Sequence, residues 1–136
     1  MARAILRDPQ ILILDEPTSS LDSPLRGDYL RWMFFGPGCM EPAFVEKMTA
    51  SAHVDAFRHA WGDAERVLAV LASSCSARTP WLLGADFSAA DVLIGSMAQW
   101  ARKLGFLTEH SSTHARLRRL SERPALRRTL AIEASG

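Results

Sequence analysis

Apolar and polar positions along the chain follow two different rules, and the change falls near Pro24. Before it, Ile11-Leu12-Ile13-Leu14 is an unbroken branched apolar run closed by Asp15-Glu16-Pro17, the pattern of a strand buried on both faces of a parallel sheet. Further upstream, Ala2-Arg3-Ala4-Ile5-Leu6 has helical character and ends at Asp8-Pro9, because proline disfavours helix in the residue before it. A lone strand has no sheet to join and is marginal in water. Residues 1–22 are therefore expected to be a strand-like or disordered leader, with 1–20 poorly ordered, weakly helical, or laid against the helical body.

From Pro24 onward the apolar spacing is helical. Leu25, Tyr29, Leu30, Trp32, Met33, Phe34 and Phe35, then Met40, Phe44, Val45 and Met48, are too many for one exposed stripe, so the first long helix is expected to be largely buried. Gly36-Pro37-Gly38 and Pro42 interrupt it, since a proline removes a backbone bond and crowds the carbonyl four residues earlier; a kink or two successive helices should result. A second helix is expected from about Asp55 to Ala77, with Trp61, Ala64, Leu68, Leu71, Ala72 and Cys75 on one stripe. Thr79-Pro80 ends it, and Trp81-Leu82-Leu83-Gly84 makes an apolar connector.

The sharpest local signal follows. Ser88 precedes Ala89-Ala90-Asp91, so the serine hydroxyl can cap an amide near Asp91 while the carboxylate reaches back to the Ser88 amide. Phe87 before the cap and Val92 at the fourth helical position would add a hydrophobic staple. Val92, Leu93, Ser96, Met97, Trp100 and Leu104 then continue on one side to Gly105, the expected C-terminal cap. A shorter helix is expected from about His114 to Arg123 with Leu117 and Leu120, and Arg123-Pro124 starts another carrying Leu126 and Leu130. The expected fold is all-α, a helical bundle over 23–136 behind the leader 1–22.

Composition narrows the partners. The 136 residues suit one compact domain, and 48% apolar with 23% charged residues is globular usage. Sixteen Lys and Arg against 15 Asp and Glu give no field to gather phosphate backbones or anionic lipid, so neither nucleic acid nor membrane insertion is expected. Cys39 and Cys75 form no CxxC, and no histidine sits beside them at ligand spacing, so no metal site is expected and a reducing cytoplasm fits best. His53, His59, His110 and His114 share no face with carboxylates and are expected to be solvated. So is the basic stretch Arg116, Arg118, Arg119, Arg123, Arg127 and Arg128.

Two resemblances organise these readings. ARAILRDPQILILDEPTSSLD, residues 2–22, resembles the Walker B strand and D-loop of an ABC-transporter nucleotide-binding domain. The resemblance implies Asp15 as a magnesium carboxylate, Glu16 as the residue orienting the attacking water, and Ser20 and Asp22 in a turn that meets an opposite subunit. No G-x-x-x-x-G-K-[ST] phosphate loop occurs in the sequence, so ATP binding and hydrolysis are not expected. YLRWMFFGPGCMEPAF, WGDAERVLAVL, PWLLGADFSAADVLIGSMAQWARKLGFL and RLSERPALRR together resemble the C-terminal helical domain of bacterial glutathione S-transferases, over about 24–136. Ser88 and Asp91, with Phe87 and Val92, then match that family's structural capping box. Phe35, Gly38, Cys39 and Trp100 match the helical side of its hydrophobic substrate pocket.

Glutathione is implied as cofactor by this resemblance alone, because the family binds it on a thioredoxin-like domain that these residues do not resemble. The expected function is a helical domain that is non-catalytic by itself and acts in dimerisation or binding, or is a truncated gene product. One alternative is glutathione transferase activity on a hydrophobic electrophile with the thioredoxin-like domain supplied by another chain; a second is an ABC-type ATP-binding fragment. Apolar surface left on the first helix and near Trp100 makes self-association, or a thioredoxin-like partner, the expected interaction.

Overall fold

A computed structural model describes residues 23–49, 61–77, 80–107 and 112–135. The leader with its Ile11–Leu14 run, the carboxylates Asp15 and Glu16, the turn residues Ser20 and Asp22, and His53, His59 and His110 lie outside the described residues. Among those described, every regular element is helical: α1 (Ser23–Phe35), a π-helical segment (Gly36–Met40), α2 (Glu41–Thr49), α3 (Ala64–Ala77), α4 (Ala89–Lys103), α5 (Ser112–Ser121) and α6 (Pro124–Ser135). The all-α expectation holds.

The first rod runs from α1 through the π segment to α2. The interruption expected at the two prolines takes this form: two successive α-helices joined by a widened turn in which the Glu41 amide donates to the Gly36 carbonyl five residues back. A π turn adds one residue to the ring and relieves the clash that Pro37 and Pro42 would cause in an α-helix. Gly36 permits close approach to α4, since a Cβ there would stand 3.2 Å from Leu93 Cδ2.

The expectation of a helix from Asp55 needs correction over the described residues. Trp61 lies in a turn, Gly62 has φ of 77°, and α3 begins at Ala64. Asp63 caps it, its Oδ1 accepting the Arg66 amide at 2.8 Å. The core face of α3 is Ala64, Val67, Leu71 and Cys75, with Trp61, Leu68 and Ala72 half-buried.

Helix α4 is the centre: it packs on α1, the π segment and α5, while α3 packs on α5. Its buried face is Ala90, Asp91, Ile94, Gly95, Ala98 and Ala101, so the face assigned from the large residues is corrected. Val92 is 57% exposed and Ser96 is exposed, while Leu93, Met97, Trp100 and Leu104 flank the core half-buried. Small residues let neighbouring helices approach, and Gly95 does so most tightly: a Cβ there would stand 2.4 Å from Leu120 Cδ1. The C-terminus closes as a Schellman motif, with Gly105 at φ 73° and the Phe106 amide donating to Ala101 O at 2.9 Å.

The expected His114–Arg123 helix starts earlier, at Ser112, whose Oγ donates to Ala72 O of α3 at 2.8 Å. Pro124 opens α6, where its missing amide costs nothing.

Candidate functional site

The chemistry-bearing side chains of the described fold gather under the start of α4. Asp91 is 1% exposed. Its Oδ2 accepts the Ser88 amide at 3.0 Å and the Ser88 hydroxyl at 2.9 Å, and its Oδ1 accepts the Leu82 amide at 2.8 Å. The reciprocal box between Ser88 and Asp91 is therefore in place, with the serine proton turned onto the carboxylate. The Leu82 bond extends it: one carboxylate ties the Trp81–Gly84 turn to the helix start. That turn is closed by paired bonds, Trp81 N to Gly84 O at 3.0 Å and Gly84 N to Trp81 O at 3.1 Å, with Gly84 at φ 118°.

The opposing charge comes from α5. Arg116 NH1 stands 3.7 Å from Asp91 Oδ1, with side chains 6% and 0% exposed. Burying an ion pair costs several kcal/mol of hydration per ion and is tolerated when other hydrogen bonds complete it; here the Leu82 and Ser88 donors do so for the carboxylate, while Arg116 Nε and NH1 make no hydrogen bond of their own. The assignment of Arg116 to a solvated face is corrected, and so are two of its neighbours. Arg119 donates to Pro80 O at 3.0 Å, and the Arg123 guanidinium lies 3.5 Å over the Phe87 ring. Arg118, Arg127 and Arg128 are exposed as expected, while His114 is half-buried. Arg116 shares its helical spacing with Thr113, Leu117 and Leu120, all buried. That periodicity was the available signal, and the density of arginines hid it.

Cys75 from α3 and Thr113 from α5 complete the cluster. Burial pushes the Cys75 thiol up; the Arg116 charge and hydrogen bonds from Thr113 and Arg116 oppose this, and the Asp91 charge adds to it. A thiol held protonated is a poor nucleophile and metal ligand. Leu71, Cys75, Leu82, Asp91, Thr113 and Leu120 are among the walls of a cavity of about 10 Å³, the room of roughly one water molecule. Among the described residues no group of three His, Cys, Asp or Glu could hold a metal ion.

The four pocket residues expected from the resemblance lie elsewhere, and none lines this cavity. Phe35 packs edge-on to Trp32, with centroids 5.5 Å apart. Trp100 meets Phe44 at 5.7 Å, and Phe44 meets Phe106 at 5.8 Å. Cys39 is half-buried against the core, and Gly38 is exposed, with nothing within 4 Å of where a Cβ would stand. Phe87, assigned to a staple with Val92, has Trp81 as its ring partner at 4.9 Å. Among the described residues no helix is long and apolar enough to cross a membrane. Comparison with family models, with curated proteins and with solved structures returned no match.

Proposed function

We propose that residues 23–136 form a non-catalytic helical module, similar in kind to the C-terminal domain of glutathione S-transferases, that works by association rather than by chemistry. One observation carries this reading. Both oxygens of the buried carboxylate that the sequence singles out are engaged within the fold, on Leu82, Ser88 and Arg116. The cavity beside it, about 10 Å³, has no room for a substrate. The two free cysteines, Cys39 and Cys75, fit a reducing cytoplasm.

A second reading rests on the Phe44, Trp100 and Phe106 ring cluster. It is an apolar wall that would serve a hydrophobic electrophile if a separate thioredoxin-like chain brought glutathione to it.

Titration of the full chain with glutathione, followed by calorimetry and Trp fluorescence, separates the two. The module reading expects no saturable signal from the chain alone at millimolar glutathione, and no conjugation when a thioredoxin-like domain is added. Saturable binding by the chain alone overturns it. Conjugation that appears only with the added domain selects the second reading.

A further inference from the structure

The cavity beside Asp91 gathers four polar side chains within an otherwise apolar wall: Cys75 from α3, Asp91 from α4, and Thr113 and Arg116 from α5. Thr113 is 1% exposed. Apart from the Cys75 thiol, no protein group among the described residues gives its Oγ1 a hydrogen bond. A hydroxyl carries one proton and two lone pairs, so most of this one's capacity is open to the cavity. A buried hydroxyl left in that state destabilises a fold.

The ion pair points to the same place. Arg116 NH1 and Asp91 Oδ1 stand 3.7 Å apart, close enough for their charges to attract and too far for a direct hydrogen bond. Polar groups at such a separation are commonly joined through one water. The cavity, about 10 Å³, is at the lower limit for one water and below that of any larger ligand. Charge narrows the occupant further, because an anion would meet the Asp91 carboxylate and a cation the Arg116 guanidinium. The ligand must be neutral, and must both donate and accept.

We propose that this cavity binds a single water molecule that bridges α4 to α5. One of its protons goes to Asp91 Oδ1 and the other to Thr113 Oγ1, while its oxygen accepts from Arg116 NH1. That gives it three hydrogen bonds, the usual number for a buried water. The bridge turns the Asp91–Arg116 pair from a bare charge contact into a hydrogen-bonded one, and gives Thr113 its place in the network.

The inference goes beyond the association reading and stands or falls apart from it. Oxygen-17 relaxation dispersion of the full chain in solution counts long-lived bound waters without interference from hydroxyl protons, and circular dichroism confirms that each variant is folded. Thr113→Val, which replaces the hydroxyl by a methyl of similar size, is expected to hold one long-lived water fewer than the wild type. It should also lower the folded-to-unfolded ratio in urea unfolding by about fivefold or more. Thr113→Ser keeps the hydroxyl and should keep the water. Arg116→Met removes the donor and should lose the same water, so the count remains decisive if Thr113→Val does not fold. An unchanged count in folded Thr113→Val or Arg116→Met, or a lost water in Thr113→Ser, overturns the proposal. So does a Thr113→Val chain as stable as the wild type or more so, which is the outcome for a dry cavity with an unmet hydroxyl.

Discussion

The α4–α5 contact and the α1–α2 rod use the same kinds of residue to opposite ends. In the contact, charge is inside: Asp91 and Arg116 are buried, and small residues bring backbones together. In the rod, Arg26 and Glu41 face outward, and so do Gly27, Leu30, Phe34 and Gly38 between them. A buried charge must find most of its partners within the chain, since bulk water no longer reaches it. The described helices leave an outward apolar stripe without cover. The first region explains how the described helices are held together, and the second leaves apolar surface outside them.

The largest effect expected is from Asp91→Ala. It removes the acceptor of the Leu82 and Ser88 donors and leaves Arg116 buried beside an alanine. A loss of about 3 to 5 kcal/mol in urea unfolding is expected, against about 1 kcal/mol for a simple N-terminal cap. A loss no larger than that of a cap would reduce the cluster to its local half. Arg116→Met should cost less, about 1 to 3 kcal/mol, because Asp91 keeps three hydrogen-bond donors. If Arg116→Met costs more than Asp91→Ala, the carboxylate is not the hub.

One substitution made in both regions should change sign between them. Gly95→Ala puts a methyl into Leu120, which is itself buried, and is expected to destabilise by about 1 kcal/mol after the gain in helix propensity. Gly27→Ala on the rod meets open space and should stabilise by about 0.5 to 1 kcal/mol. Equal shifts in thermal midpoint would erase the contrast.

The smallest effect is in pH. Burial raises the Cys75 thiol, so the folded state holds that proton more tightly than the unfolded chain does. The stabilisation this brings is complete below the ordinary thiol range and is lost as pH rises through the raised value. Unfolding free energy should therefore fall more steeply at alkaline pH in the wild type than in Cys75→Ala, and parallel profiles would contradict this.

These contrasts also show what the sequence could disclose. The capping box was legible because Ser88 and Asp91 interact over three residues, within the reach of local pattern. The Leu82 and Arg116 partners were not, since one is a backbone amide and the other sits 25 residues downstream on another helix. The buried face of α4 was misread because large apolar residues draw attention, whereas Ala90, Gly95, Ala98 and Ala101 are buried for their smallness. At the first rod the prolines predict an interruption; that it is a π-helical segment between two α-helices is not specified by proline positions alone. Gly62 stops α3 short of its expected start by taking a left-handed conformation, which apolar periodicity does not register.

The central claim is that the buried carboxylate and guanidinium act as one structural unit on which the module is built. A double-mutant cycle of Asp91→Ala and Arg116→Met, read by urea unfolding of the full chain, tests it most directly. The double variant should lose less than the two single losses combined, by about 1 to 3 kcal/mol. Additivity within about 0.5 kcal/mol would contradict the account.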